Sequence, residues 1–179
     1  MPEKADWVKD VNAVNKVSRF TTRDITLTGM MIASIEVAKL ALSFLPNVEL
    51  VSLLLMVYTL FFGSRIFFVI AAFVLIEGCM YGFGTWWIMY LYIWPLLAGL
   101  TLLFRRKESV WFWSIFSGVF GLFYGALCSL TYLVIGGPHM AFTWWVAGIP
   151  YDLIHCVSNF VLCFILFRPL YTILNRLRR

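Results

Sequence analysis

The sequence predicts an all-α integral membrane protein, folded as a six-transmembrane-helix bundle with both termini cytoplasmic. Hydrophobic residues make up 62% of the 179 residues and charged residues only 13%, and the mean hydropathy is +0.88. Apolar runs recur along the chain, and most approach the ~20 residues that a helix needs to cross a bilayer. Basic residues mark every second boundary between these runs. That alternation is the positive-inside pattern of an even number of spans.

The first five spans follow directly from these runs. Thr21, Thr22 and Asp24 are typical helix-start residues and precede the first span, 25–45. The next four are predicted at 48–63, 66–84, 86–104 and 110–136. The second is short, and it crosses a bilayer only if Glu49 and Arg65 mark its two interfaces.

The remainder divides into three predicted parts. Residues 1–24 form a cytoplasmic segment, within which 7–20 is either an interfacial helix or a flexible tail. Residues 25–174 form the membrane domain, and 175–179 form a basic cytoplasmic tail.

The sixth span allows two registers. A helix that begins near Phe142 places Asp152 ~15 Å deep, at 1.5 Å per residue. Proline favours the first helical position and is costly in a helix interior, so we place the start at Pro150 and the end near residue 167. Residues 136–149 then form an extracellular loop that carries Trp144 and Trp145. Asp152 falls in the first turn, where the helix dipole favours a negative charge, and His155 and Asn159 follow on the same face.

Polar residues collect in the predicted outer half of the bundle. Ionisable side chains within spans are expensive and by default line an interior or a water-filled cavity. The sequence therefore predicts an outward-facing pocket with carboxylates and aromatic walls. Its candidate ligand-binding residues are Glu77, Tyr81, Trp86, Trp87, His139, Trp144, Trp145, Asp152, His155 and Asn159.

These residues also have simpler interpretations. Glu77 can pair with Lys39 for structural reasons alone, and Glu36 and Lys39 can neutralise each other. An aromatic belt at the membrane interface accounts for most of the tryptophans without any ligand. A small-residue face on the first span, formed by Gly29, Ala33, Val37 and Ala41, permits close approach of another helix. Either a partner subunit or the same bundle can provide that helix.

The residue types argue against several classes of function. The chain is too short to hold a soluble catalytic domain beside six spans, and the position of its basic residues indicates topology rather than nucleic-acid binding. Asp152 and His155 lack a convincing nucleophile or an HExxH-like metal box. Its two histidines allow a small haem-binding membrane protein as a rival interpretation. We expect no enzyme activity, no metal and no cofactor.

Several stretches resemble the S component of an energy-coupling factor (ECF) vitamin importer. They are LPNVELVSLL at 45–54, IEGCMYGFG at 76–84 and GIPYDLIHCVSNF at 148–160, together with the small-residue first span. The resemblance implies a bacterial plasma-membrane protein that captures a micronutrient from outside. It also implies assembly, through the first helix, with a transmembrane coupling subunit and two cytoplasmic ATPases. Val37 interrupts the family's usual AxxxA-type face.

The resemblance also implies roles for individual residues. Thiamine-binding relatives use a Glu near the outer end of the third helix, a His and a Trp before the last helix, and an Asn within it. Glu77, His139, Trp144 or Trp145, and Asn159 occupy similar places, whereas Asp152 and His155 are additional. Aromatic planes and carboxylates suit a flat nitrogen heterocycle, such as a pyridoxine-, pyrimidine- or queuosine-precursor-type compound. Cobalamin is the larger alternative.

Overall fold

The computed structural model describes residues 21–178, and every regular element in that range is helical. The predicted interfacial helix at 7–20 lies outside the described residues. The elements are α1 (Thr22–Ala41), α2 (Val51–Phe62), a 3₁₀ turn (Gly63–Arg65), α3 (Ile66–Tyr81), α4 (Thr85–Leu103), α5 (Val110–Leu122) and α6 (Tyr124–Arg178). A non-helical residue, Gly137, divides α6 into α6a (124–136) and α6b (138–178).

Of the first three helices, α1 and α3 are parallel and α2 runs in the opposite direction. Lys39 pairs with Glu77 near the C-terminal ends of α1 and α3, and Asp24 lies 3.0 Å from Arg65 where these helices begin. Because α1 and α3 are therefore parallel, the connecting α2 runs the opposite way. The Thr21 side chain caps α1 in a capping box with Asp24, which confirms the helix start that the sequence predicts.

The remaining helices continue the alternation. The Trp87 indole N–H on α4 donates to the carbonyl of Val74 on α3 at 2.8 Å, close to where the two helices join. The Tyr92 hydroxyl then donates to the carbonyl of Leu127 at 2.7 Å, so α5 and α6a return alongside α4. The chain turns back at Gly137 and runs down as α6b. The described residues thus form six helical segments that alternate in direction, with α5 and α6a counted as one segment.

The two ends of this bundle differ in charge. We call the end where α1 and α3 begin the basic end, because Arg23, Arg65, Arg105, Arg106, Lys107 and Arg168 lie there. We call the opposite end the polar end, because Lys39, Glu49, Glu77 and His155 lie towards it. The segregation of basic and mixed polar residues that the sequence predicts is therefore present in the fold.

The second helix is the centre of the bundle. All of its residues from Val51 to Phe62 are buried, and α1, α3, α4 and α6 surround it. A helix that is apolar on every side is stable only when other helices cover it completely. Its 12 residues reach only about 18 Å. This short span is thus the core helix of the bundle.

The bundle has an apolar exterior and polar groups inside. Val134 is 87% exposed, Leu103 71% and Val37 66%, whereas Glu77 and His155 are 0% and 3% exposed. Apolar surface on this scale marks contact with a membrane or a partner in place of water. Three helical stretches of the described chain are long and apolar enough to cross a bilayer. They are Val51–Tyr81, which contains α2 and α3; Thr85–Leu103, which is α4; and Val110–Arg176, which contains α5 and most of α6. The fold is therefore that of an all-α membrane protein.

The predicted start of the sixth helix, at Pro150, was wrong. Residues 138–149 are helical rather than a loop, and Pro150 lies inside α6b. The break falls at Gly137, whose φ of 76° favours glycine, and Pro138 takes the first helical position. Asp152 therefore lies about 21 Å along α6b, far beyond its first turn. At the other end, the predicted tail from 175 to 178 continues the same helix.

A row of glycines lets α5 and α6a lie directly against α6b. A Cβ on Gly121 would stand 2.8 Å from the His155 carbonyl oxygen, and one on Gly118 would stand 3.2 Å from that of Cys156. A Cβ on Gly125 would collide with the Asp152 carboxylate. Small residues of this kind allow helix backbones to approach closely in membrane proteins. The contact fixes the position of His155 and Asp152 in the fold.

We expect Gly121→Ala to destabilise the protein by about 1–3 kcal/mol, because the new methyl group meets backbone atoms that cannot move aside. The thermal midpoint of the detergent-purified protein measures this. Gly148→Ala is the control, since its Cβ would meet nothing within 4 Å. A Gly121 variant as stable as this control would contradict the packing described.

Candidate functional site

A buried acidic cluster joins α1 and α3 towards the polar end. Glu77 is completely buried and forms an ion pair with Lys39. The carboxyl group of Glu36 contacts that of Glu77, and the Oε1 atom of each has no hydrogen-bond partner. The Lys39 Nζ also lies 4.8 Å from the ring centre of Tyr81 and 5.7 Å from that of Tyr90. Carboxylate oxygens and aromatic rings thus surround one ammonium group.

A second polar cluster lies between α2 and α6b. The Glu49 Oε1 atom is 3.1 Å from His155 Nε2 and accepts a hydrogen bond from the Ser52 hydroxyl at 2.8 Å. The ring of Tyr124 lies 4.9 Å from that of His155. Ser158 donates to the carbonyl of Asn47 at 2.9 Å and so ties the loop before α2 to α6b. The two segments are held together by polar contacts.

Two tyrosines connect these clusters. The side chains of Tyr90 and Tyr124 lie close enough to interact, and both Glu49 and Glu77 are near enough to act electrostatically on Tyr90. We call the connected set the polar core. It consists of Lys39, Glu49, Glu77, Tyr90, Tyr124 and His155, and it links α1, the loop before α2, α3, α4, α6a and α6b.

Aromatic rings line one side of the polar core. Trp94 stands edge-on to Tyr90 with ring centres 5.2 Å apart, and it lies 6.0 Å from Tyr124. Trp86 meets the other side of Tyr90 at 5.4 Å. Of the predicted site residues, Glu77, Tyr81, Trp86 and His155 are therefore assembled in or against the polar core.

Asp152 and Asn159 hold the hairpin of α5, α6a and α6b. The Gly125 backbone N–H donates to Asp152 Oδ1 at 2.9 Å, at the start of α6a where helical N–H groups lack internal partners. The Asn159 amide donates to the Ser117 carbonyl at 3.5 Å. The contacts made by these two predicted site residues are thus between helices.

The remaining predicted site residues lie apart from the polar core. His139, Trp144 and Trp145 are exposed on α6b near its turn, and the ring of Trp144 contacts that of Tyr132 at a tilt of 31°, with ring centres 4.1 Å apart. Trp87 is occupied by its hydrogen bond to α3 and by an edge contact to Phe83 at 5.0 Å. None of the described contacts joins these four residues to the polar core.

Two cavities formed by described residues contain none of the predicted site residues. One, of about 390 Å³, lies between α4 and α6a and is lined by Ile88, Tyr92, Leu130, Thr131, Val134 and Ile135. The other, of about 600 Å³, lies at the basic end and is lined by Ser64, Gly99, Leu102, Leu103, Arg105 and Arg106. The first is almost wholly apolar, whereas the second has arginine side chains along one edge.

The geometry disfavours haem ligation by the two histidines together. His139 and His155 lie on the same helix, 16 residues apart, which separates them by about 24 Å. Two axial ligands of one haem must face each other across a single iron atom. The Nε2 atom of His155 is in addition occupied by Glu49.

The small-residue face of α1 has no partner helix within the described chain. Gly29, Ala33, Val37 and Ala41 are all exposed, and a Cβ on Gly29 would meet nothing within 4 Å. The buried residues Met31, Ile32 and Ile35 lie on the other side of the helix. Within the described residues, this face therefore does not pack against the bundle.

Sequence reasoning missed several members of the polar core. Tyr124 lies in the apolar stretch FGLFYGAL, where only the neighbouring Gly125 signals a close approach. Glu49 and Tyr90 stand out as outer-half polar residues, but no local pattern pairs Glu49 with His155, which is 106 residues away.

Comparisons with known proteins identify no relative: no family model, no curated protein and no solved structure matches this chain.

Removal of the Lys39 side chain should leave the buried carboxylate of Glu77 without its counter-charge. We expect Lys39→Met to destabilise the protein by about 2–3 kcal/mol, somewhat below a fully buried pair because Lys39 is partly exposed. The double variant Lys39→Met/Glu77→Gln should recover much of this loss, because the buried group is then neutral. Unfolding midpoints of the two single variants and the double variant form a mutant cycle. Strictly additive effects would contradict the ion pair.

Proposed function

We propose that this protein is the substrate-binding membrane subunit of an ECF-type importer, a non-catalytic component that captures a micronutrient for ATP-driven uptake. The proposal combines the sequence resemblance with the all-helical membrane fold. In the proposed orientation, six passes cross the plasma membrane of a bacterium, the basic end and both termini face the cytoplasm, and the polar end faces outward. This follows the preference of basic residues for the cytoplasmic side.

The observation that carries the proposal is a buried carboxylate oxygen of the polar core that has no hydrogen-bond partner. Glu77 is completely buried, its Oε2 atom pairs with Lys39, and its Oε1 atom has no hydrogen-bond partner although the carboxyl group of Glu36 contacts that of Glu77. Buried polar atoms are nearly always satisfied in folded proteins, so an unpaired acceptor in this position is suited to a donor from a ligand. Ionisable residues inside a membrane bundle are also functional by default.

The surroundings of Glu77 suit a flat nitrogen heterocycle. Tyr81, Tyr90 and Trp86 supply aromatic faces and edges near the carboxylate. Ring or exocyclic N–H groups of a pyridoxine-, pyrimidine- or queuosine-precursor-type compound can donate to Oε1, and the rings can stack on the aromatic side chains. His155 and Glu49 supply a second donor–acceptor pair through Tyr90 and Tyr124.

The exposed face of α1 is the proposed contact with the transmembrane coupling subunit. It is smooth at Gly29, Ala33 and Ala41, so a partner helix can approach its backbone. In the proposed assembly that subunit carries two cytoplasmic ATPases, and this chain hydrolyses nothing.

We expect purified protein to retain a micronutrient that mass spectrometry identifies, and Glu77→Gln to weaken its binding at least tenfold. The reason is that an amide replaces one acceptor oxygen with a donor, at a cost of about 1.5–3 kcal/mol for a hydrogen bond to a charged group. Glu108→Gln is the matched control, since Glu108 is exposed in the α4–α5 loop. Equal affinities of the two variants for the micronutrient would contradict the proposal that Glu77 binds it.

We expect Ala33→Trp to abolish co-purification with the coupling subunit while leaving ligand affinity within about twofold, because a bulky ring prevents the close helix approach that small residues allow. Ala71→Trp is the control, because Ala71 is also exposed but lies on α3. Assembly that survives Ala33→Trp would rule out this docking face.

A further inference from the structure

A groove at the basic end combines an apolar wall with cationic and hydroxyl groups. It encloses about 600 Å³ between the last turns of α4 and the turn that joins α2 to α3. Gly99, Leu102 and Leu103 form its apolar part, while Ser64, Arg105 and Arg106 form its polar edge. Leu103 is 71% exposed, so the apolar part opens to the outside of the bundle.

Gly99 leaves part of the groove wall without a side chain. Gly99 faces outward on α4, and a Cβ built there would meet nothing within 4 Å. The helix therefore presents bare backbone where most of its exposed positions carry large apolar side chains, such as Leu91, Leu96 and Leu103. A hydrocarbon chain can lie along this depression beside Leu102.

The polar edge carries a net positive charge. Arg105 and Arg106 follow the end of α4, and Ser64 adds a hydroxyl group from the 3₁₀ turn. Guanidinium groups bind phosphate oxygens in a planar, two-pronged geometry, and hydroxyl groups add a further donor.

We propose that this groove binds an anionic phospholipid, with the phosphate at Arg105, Arg106 and Ser64 and an acyl chain along Gly99 and Leu102. A lipid matches both parts of the groove, since basic pockets between membrane helices recognise anionic headgroups. A soluble phosphate would use only the polar edge and would leave the apolar depression unfilled. The site is separate from the polar core and does not depend on the proposed transport function.

The test uses the full chain in detergent, with phosphatidylglycerol or phosphatidylcholine added, and native mass spectrometry to count bound lipids. We expect the wild-type protein to prefer phosphatidylglycerol, and Arg105→Gln/Arg106→Gln to reduce that preference at least about tenfold, given the contribution of each basic residue near anionic lipid. Lys107→Gln is the matched control: it removes one charge from the same loop, outside the groove, and should change the preference less than twofold.

Two further arms separate a lipid from other anions. Gly99→Leu should weaken phosphatidylglycerol binding without any change of charge, because the new side chain fills the depression. Glycerol phosphate in large excess should not displace the lipid. If the double glutamine variant does not fold, Arg105→Lys/Arg106→Lys and Gly99→Leu take its place, and both should weaken binding. Equal binding of the two lipids, a Lys107→Gln effect as large as that of the double variant, an unaffected Gly99→Leu variant, or displacement by glycerol phosphate would each overturn the proposal.

Discussion

The ion pair between Lys39 and Glu77 is the constraint on which much of the interior depends. A carboxylate that is completely buried in an apolar bundle is strongly destabilising unless a counter-charge accompanies it. Lys39 can supply that charge only if α1 lies parallel to α3, with the ends of the two helices level. This arrangement brings the ammonium group near Tyr81 and Tyr90, and Tyr90 in turn leads to Tyr124. The pair therefore sets the position of α1 and the beginning of the polar core.

The glycine row of α5 and α6a completes the polar core from the other side. Without side chains at Gly118, Gly121 and Gly125, the backbone of α6b comes into direct contact with these helices. That contact places His155 beside Tyr124 and directs its Nε2 atom to Glu49 at the start of α2. A larger residue at Gly121 would push α6b outward and lengthen both contacts. Packing of small residues and burial of polar residues are thus parts of one arrangement.

Much of the fold was predictable because local signals and the bilayer act together. Four of the predicted spans match α1 to α4 closely, since apolar runs bounded by charges leave little freedom in where a helix begins and ends. The last third was harder. Two prolines, Pro138 and Pro150, both satisfy the preference for a first helical position, and only Pro138 follows a residue with positive φ. The glycine before it was the informative signal, because proline alone does not stop a long helix that neighbouring segments support.

The site was less predictable than the fold for a physical reason. Glu77 was identifiable because an ionisable residue inside an apolar run is costly to bury unless it faces the interior of the bundle or a water-filled cavity. Asp152 was equally conspicuous, yet its carboxylate accepts a hydrogen bond from the Gly125 N–H at the start of α6a. That N–H group needs a partner because the helix is interrupted at Phe123, and composition alone does not reveal this interruption. The partner of His155 was unpredictable from sequence because Glu49 lies 106 residues away along the chain.

The contribution of the polar core to stability does not by itself account for its presence in the interior. Replacement of a buried ion pair by apolar residues of similar volume is often neutral or stabilising, so stability alone does not explain Glu77, Lys39, Glu49 and His155 in this interior. Apolar side chains would satisfy α2 and its neighbours equally well. What such side chains could not provide is a set of acceptors and donors that faces aromatic rings and retains an unpaired oxygen at Glu77. This is the chemistry that the proposed ligand binding requires, and the surrounding apolar packing holds it in place.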